Sequence, residues 1–255
     1  MTNITNFPLL VFPLSFLVLW LSAWIGARFL RRQRELEEGA RDDFGVILAA
    51  TLTLLGLILG FSFSMAVSRY DQRKNLEEEE ANAIGTEYLR VGLLPAADAA
   101  KVRGLLKDYL EQRILFYTVR DREQDRRIDA RTAQLHGELW SAVQAPALAQ
   151  PTPLSALAAA GMNDVLNSQG YTQAAWWNRI PVAAWGLMVT IGICCNLLIG
   201  FAVHQIKAER FLLPILPLVV SIAFMLIADI DSPRGGFIRV EPQNLMSLSG
   251  SLQGQ

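Results

Sequence analysis

At 255 residues, 52% hydrophobic and only 18% charged, with a mean hydropathy of +0.27, the chain is too apolar for an ordinary soluble globule. A net charge of −1 carries no concentrated basic excess and excludes a nucleic-acid binder. The charges are segregated, with most of them between residues 68 and 140 and almost none in the apolar runs.

In chain order, residues 7–30 form a first apolar run. The six residues before it carry no positive charge and the run exceeds a signal-peptide core, so it reads as an uncleaved anchor. A connector, 31–43, brings Arg31, Arg32, Arg34 and Arg41. The second run, 44–67, has no charged residue. At about 1.5 Å per residue it crosses the ~30 Å hydrocarbon core of a bilayer. No Pro follows until Pro95, so the spacing predicts one helix that leaves the membrane and continues to about Leu94.

A polar helical domain is expected over 68–179. Val102, Leu105, Leu106, Tyr109, Leu110 and Ile114 recur at helical spacing and form one apolar face. A second helix is predicted at about 128–143 and a short third at about 154–167, with a Pro-rich linker at 146–153 between them. Trp176 and Trp177 precede the next apolar run, where an interfacial aromatic belt would place them. A third span is predicted at about 180–203 and a fourth at about 211–228, kinked by Pro214 and Pro217. Residues 229–255 read as an irregular tail. The fold class is therefore an all-α integral membrane protein with four transmembrane helices, two plus two, and an inserted helical domain between the second and third.

Basic residues near span ends count seven on the connector side (Arg28, Arg31, Arg32, Arg34, Arg41, Lys207, Arg210). They count six on the other (Arg69, Arg73, Lys74, Arg179, Arg234, Arg239). The positive-inside rule then puts the helical domain and both termini outside the cytoplasm.

No catalytic motif is present, and an enzyme is not expected. The two histidines, His136 and His204, are far apart and read as solvated or interfacial, so neither a metal nor a cofactor is expected. Cys194 and Cys195 read as small packing residues. The spans carry no ionisable residue at mid-depth, which argues against a proton-coupled transporter. Glu80 falls on the apolar stripe of the long helix and needs a cation, Arg73 or Arg113, or must donate as the neutral acid. Glu77–Glu79 read as a solvated acidic face, with Arg73 and Lys74 one turn away. Gly56 and Gly60 form a GxxxG that suits packing within the chain or between subunits.

The runs Arg69-Tyr70-Asp71-Gln72-Arg73 and Glu80-Ala81-Asn82-Ala83-Ile84-Gly85-Thr86, then Leu89-Arg90, Asn163-Asp164 and Asp231-Ser232-Pro233-Arg234-Gly235-Gly236, resemble the bestrophin-like family of bacterial and plant membrane proteins. The resemblance runs from about Phe44 to Leu245 and makes Glu80, Asn82, Arg90, Asp231 and Pro233 motif residues. It implies a multi-pass protein of the bacterial plasma (inner) membrane and the two-plus-two arrangement of spans. The family's distant relatives, the bestrophins, are pentameric anion channels whose second span lines the pore and whose helical region is cytosolic, opposite to the charge count above. Nothing matches the acidic calcium clasp of animal bestrophins. On this basis Leu57, Phe61, Ser64 and Ser68 are expected to line a narrow, mostly apolar pore in a homo-oligomer, with Arg69 and Arg73 at its mouth and chloride or another small anion passing. The bland alternative is that Phe61 and Phe63 pack against neighbouring spans. A non-conducting scaffold or sensor whose helical domain binds a partner is the rival function.

Overall fold

The computed structural model describes residues 7–28, 38–202 and 212–254. Arg31, Arg32 and Arg34, His204, Lys207, Glu209 and Arg210 lie outside these, as do the side chains of 38–42 and Arg122. The elements are α1 (Pro8–Arg28), α2 (Glu38–Arg90), a 3₁₀ turn (Val91–Leu93), α3 (Ala96–Thr118), α4 (Arg122–Ala149), α5 (Pro153–Trp177), α6 (Val182–Ala202), α7 (Ile215–Asp231) and α8 (Gln243–Gln253). No strand occurs among the described residues.

α2 is the continuous helix that its composition predicts. It stops where Leu94 turns extended, with φ −83° and ψ 165°, because the ring of Pro95 disfavours helical backbone in the residue before it. Two helices are longer than expected. α4 is capped by Asp121, whose carboxylate accepts from the backbone N–H groups of Glu123 and Gln124, and it runs through Pro146 to Ala149. Pro146 stands in the last turn, where its missing donor removes only one helical bond. The expected linker 146–153 therefore shrinks to 150–152. α5 opens on a capping box between Thr152 and Ser155, with Pro153 in the first turn, where proline is pre-organised for helix. It continues to Trp177, ten residues past the expected end.

The chain divides into two units, Met1–Tyr70 with Arg179–Arg239, and Asp71–Asn178 with Val240–Gln255. In the first, α1 packs on α6 and α7 around Leu19, Leu55, Met188, Cys195, Val220 and Phe224. Gly26 and Gly200 let α1 and α6 touch backbone to backbone: a Cβ on Gly26 would run into the Leu197 carbonyl, and one on Gly200 into that of Ala23. Both cysteines are free thiols.

Three segments among the described residues are long and apolar enough to cross a membrane: Pro8–Arg28, Asp43–Leu93 and Pro153–Ala202. The apolar part of the last is α6. Four were expected. α7 has 17 residues, about 26 Å of helix, because residues 212–214 form a turn before it.

In the second unit α3 packs on α4, α4 on α5, and α3 on α8, over a core that includes Val102, Leu106, Tyr109, Leu110, Leu135, Leu139, Met162 and Val165. Trp176 belongs to this core and not to an aromatic belt. Its ring lies 4.5 Å from Phe116 and 5.4 Å from Tyr117, centroid to centroid, while Trp177 is exposed. α8 replaces the irregular tail over residues 243–253.

Candidate functional site

α2 presents two different faces. At 100° per residue, Leu57, Phe61, Ser64 and Ser68 fall within one narrow stripe, and all four are exposed, Leu57 at 52% and Phe61 at 69%. The other side of the same turns is packed, with Leu55, Ser62 and Ala66 buried. A Cβ added to Gly56 or Gly60 would meet nothing within 4 Å. Among the described residues the GxxxG therefore makes no close approach, and neither Phe61 nor the glycines are covered by the described spans.

One turn on, the arginines leave that face. Arg73 is buried at 1% exposure. Arg69 is partly buried, its Nη1 3.4 Å from Asp231 Oδ1. Asp231 also receives Arg179 Nε at 3.3 Å and the Ile180 backbone N–H at 3.2 Å. The two arginines expected at an open mouth are thus an inward residue and half of an ion pair. From the sequence, Asp231 is only a motif residue and Arg179 only a topology marker.

Asp229, two residues earlier, accepts from the backbone N–H groups of Phe237 and Ile238 at 2.7 and 2.8 Å. Ser232 Oγ accepts from the Gly235 N–H. The Asp231–Gly236 run with Pro233 is a turn held by two carboxylates. The first orients three donors and the second closes the loop; charge-assisted bonds of this kind are the stronger class.

Beyond residue 70, every third or fourth position of α2 points inward: Arg73, Glu77, Glu80, Ile84 and Glu87 are all buried. Glu80 takes Arg113 rather than Arg73. Arg113 Nε donates to Oε1 and Nη2 to Oε2 at 3.4 Å, and the Thr172 hydroxyl donates to Oε2 at 3.3 Å. Burial works against the charge of Arg113, but the Glu80 carboxylate outweighs it and holds the guanidinium pKa above its ordinary value. Burial pushes the Tyr109 and Tyr117 hydroxyls up as well.

Glu77 corrects the expectation of a solvated acidic face. Its carboxylate accepts from Asn244 N at 3.0 Å, Asn244 Nδ2 at 2.7 Å and Leu245 N at 2.9 Å. Those are the free N–H groups of the first turn of α8, where Pro242 supplies no side-chain cap. Glu77 thus caps a helix from across the unit. Glu78 and Glu79 remain exposed.

Asn82 is exposed, and Arg90 pairs with Asp164 at 3.6 Å. Glu87 was missed in the sequence, although it stands seven residues after Glu80 on the buried stripe. Neither of its carboxylate oxygens has a hydrogen-bond partner. Burial pushes its pKa up to about 8, opposed by Arg90 and reinforced by Asp164. Gly161 makes room for it, since a Cβ there would collide with Glu87 Oε2 and Arg90 Nη1. His136, expected in solvent, is half-buried with its ring 5.5 Å from Tyr109. No cluster of three or more His, Cys, Asp or Glu suited to a metal ion occurs among the described residues.

No curated protein matches the chain. Among solved structures, a point variant of a bacterial bestrophin homologue from Klebsiella pneumoniae superposes with a TM-score of 0.64 at 15% identity, covering 96% of this chain and 97% of that one. A second variant gives 0.62 at 15% identity over 97% and 99%. The same organism's homologue phased on zinc gives 0.59 at 16% identity over 95% and 98%. At these identities the likeness is one of fold. The Bestrophin-like domain model matches residues 14–245, nearly the whole chain, and the protein therefore belongs to the bestrophin-like family.

Proposed function

We propose that the protein is a homo-oligomeric, bestrophin-type channel of the bacterial inner membrane that passes small anions such as chloride. The observation that carries this reading is the open stripe of α2. A transmembrane helix packed on one side leaves Leu57, Phe61, Ser64 and Ser68 uncovered on the other, beside two glycines with empty space in front of them. Copies of α2 arranged about an axis would close that space and bring the four side chains to its centre. In this reading α7 is the fourth crossing, and the 68–179 domain lies outside the cytoplasm as the charge count has it.

A wall of Leu57, Phe61, Ser64 and Ser68 has no fixed charge. Selection then rests on width and on the cost of stripping water from the ion, with Phe61 as the narrowest, dewetting point. Arg69 and Arg73 contribute little to the field at a mouth, since Asp231 compensates the first and burial removes the second from the stripe. The anion preference is accordingly weak.

Purified protein in liposomes tests this. Chloride flux above that of empty liposomes is expected, together with a ring-shaped oligomer and a larger flux for Phe61→Ala. Monomeric or dimeric particles with no flux overturn the channel and leave the scaffold reading, in which the helical domain binds a partner.

A further inference from the structure

Ser68 ends the open stripe of α2, and the next two residues are both tied to the end of α7 and the loop after it. Arg69 Nη1 donates to Asp231 Oδ1 at 3.4 Å. The Tyr70 hydroxyl donates to the Arg239 carbonyl at 3.3 Å, while the tyrosine packs against the apolar core of the same unit. At roughly 100° per residue, Arg69 and Tyr70 flank the packed side marked by Leu55, Ser62 and Ala66, and both point away from the stripe.

What they grip is itself braced. Asp231, with a side chain 1% exposed, is also held by Arg179 Nε at 3.3 Å and by the Ile180 backbone N–H at 3.2 Å. Asp229 pins the backbone of Phe237 and Ile238. Gly236 lies so close to the end of α7 that a Cβ there would run into the Asp229 carbonyl. Arg239 Nε donates back to the Gly236 carbonyl. Residues 232–239 thus form a stiff brace with one acceptor for α2 at each end.

A brace of this kind controls rotation. Apolar packing is non-directional, so a helix held by it alone can turn through part of a residue spacing and keep its burial. Hydrogen bonds weaken steeply as their angle bends. A single tie lets α2 pivot about it, whereas two ties from adjacent residues, roughly 100° apart, cannot both survive a turn. α2 contains no proline at which its turns could kink apart, so the rotation set at Arg69 and Tyr70 is passed directly to Ser68, Ser64 and Phe61.

We propose that Arg69 and Tyr70 are positioning residues for conduction. Anchored on Asp231 and on the Arg239 carbonyl, they set the rotation of α2 that turns Leu57, Phe61, Ser64 and Ser68 to the axis. The inference rests on the channel reading above. When the ties are released α2 turns, and Phe61 leaves the narrowest point.

The test reads the rotation itself. Nitroxide labels placed singly along residues 56–68 of the full-length protein in liposomes, on a Cys194→Ala, Cys195→Ala background, give the phase of α2, because accessibility rises and falls with the helical period. Tyr70→Phe removes one hydroxyl and keeps the ring; Arg69→Gln leaves Asp231 with Arg179 and Ile180. Each should turn the phase, and the double variant should turn it by about 30° or more, a third of one residue's spacing. Chloride flux should rise severalfold, as for Phe61→Ala. A merely structural role would lower the melting temperature and leave the phase where it is; that result overturns the proposal, and so does a turned helix with unchanged flux. If the double variant fails to fold, the two single variants decide. Parent liposomes without flux fail earlier, sinking the channel reading and this proposal together.

Discussion

Arg113 reaches across from α3 to hold Glu80 of α2 with two donors, while Thr172 of α5 supplies a third. Both ionised side chains are almost completely buried. The pair exists because it is complete: removing one partner leaves a bare charge in a low-dielectric interior. Glu80→Ala should therefore destabilise the helical unit by about 3–5 kcal/mol, measured as a fall in unfolding midpoint. Replacing both partners with apolar residues of similar volume should cost much less. An unchanged midpoint for the single variant would put Glu80 in contact with water.

Glu77 makes a separate prediction, because its partners are the backbone donors of one short helix. Glu77→Ala should release the start of α8, with a loss of about 1–2 kcal/mol typical of a missing cap. Limited proteolysis should then cut within residues 240–254 faster than in the parent. Equal cutting rates would mean that α8 holds without its cap.

Glu87 sets a pH dependence. Its pKa is raised from 4.5 to about 8, so the folded state keeps a proton that the unfolded chain gives up. Stability from this group is full below about pH 4.5 and falls as pH rises towards 8. Glu87→Gln, neutral at every pH, should melt near the parent at pH 4.5. At pH 8 it should be more stable, by on the order of 4 kcal/mol. A gap that fails to widen between the two pH values would show that the carboxylate is ionised in the fold.

Gly60 separates assembly from folding. A Cβ at this position meets none of the described residues within 4 Å, so Gly60→Leu should leave secondary structure and monomer yield unchanged. If α2 packs against another copy, the same variant should lower the oligomeric fraction in detergent, because a bulky residue holds helix backbones apart. By contrast Gly200→Leu should reduce folded protein outright, since α1 backbone occupies the space.

Composition and local rules by themselves determined the helical class, the run of α2 through the charge boundary, its stop before Pro95 and the inward position of Glu80. Each of these depends on nearest neighbours along the chain: the absence of Pro, the steric rule for the residue before it, and the 3.6-residue period. The tertiary structure decided the partners. Glu77 and Glu79 sit in the same acidic run, and nothing local separates a cap from a solvated side chain. What separates them is a helix start 167 residues later in the chain. Arg69 looked like free charge at a membrane edge until Asp231, 162 residues away, was placed beside it. Trp176 and Trp177 are identical neighbours, yet one is stacked on Phe116 and the other open to solvent. Position in the chain places a side chain on a face of its helix, but only packing decides what that face meets.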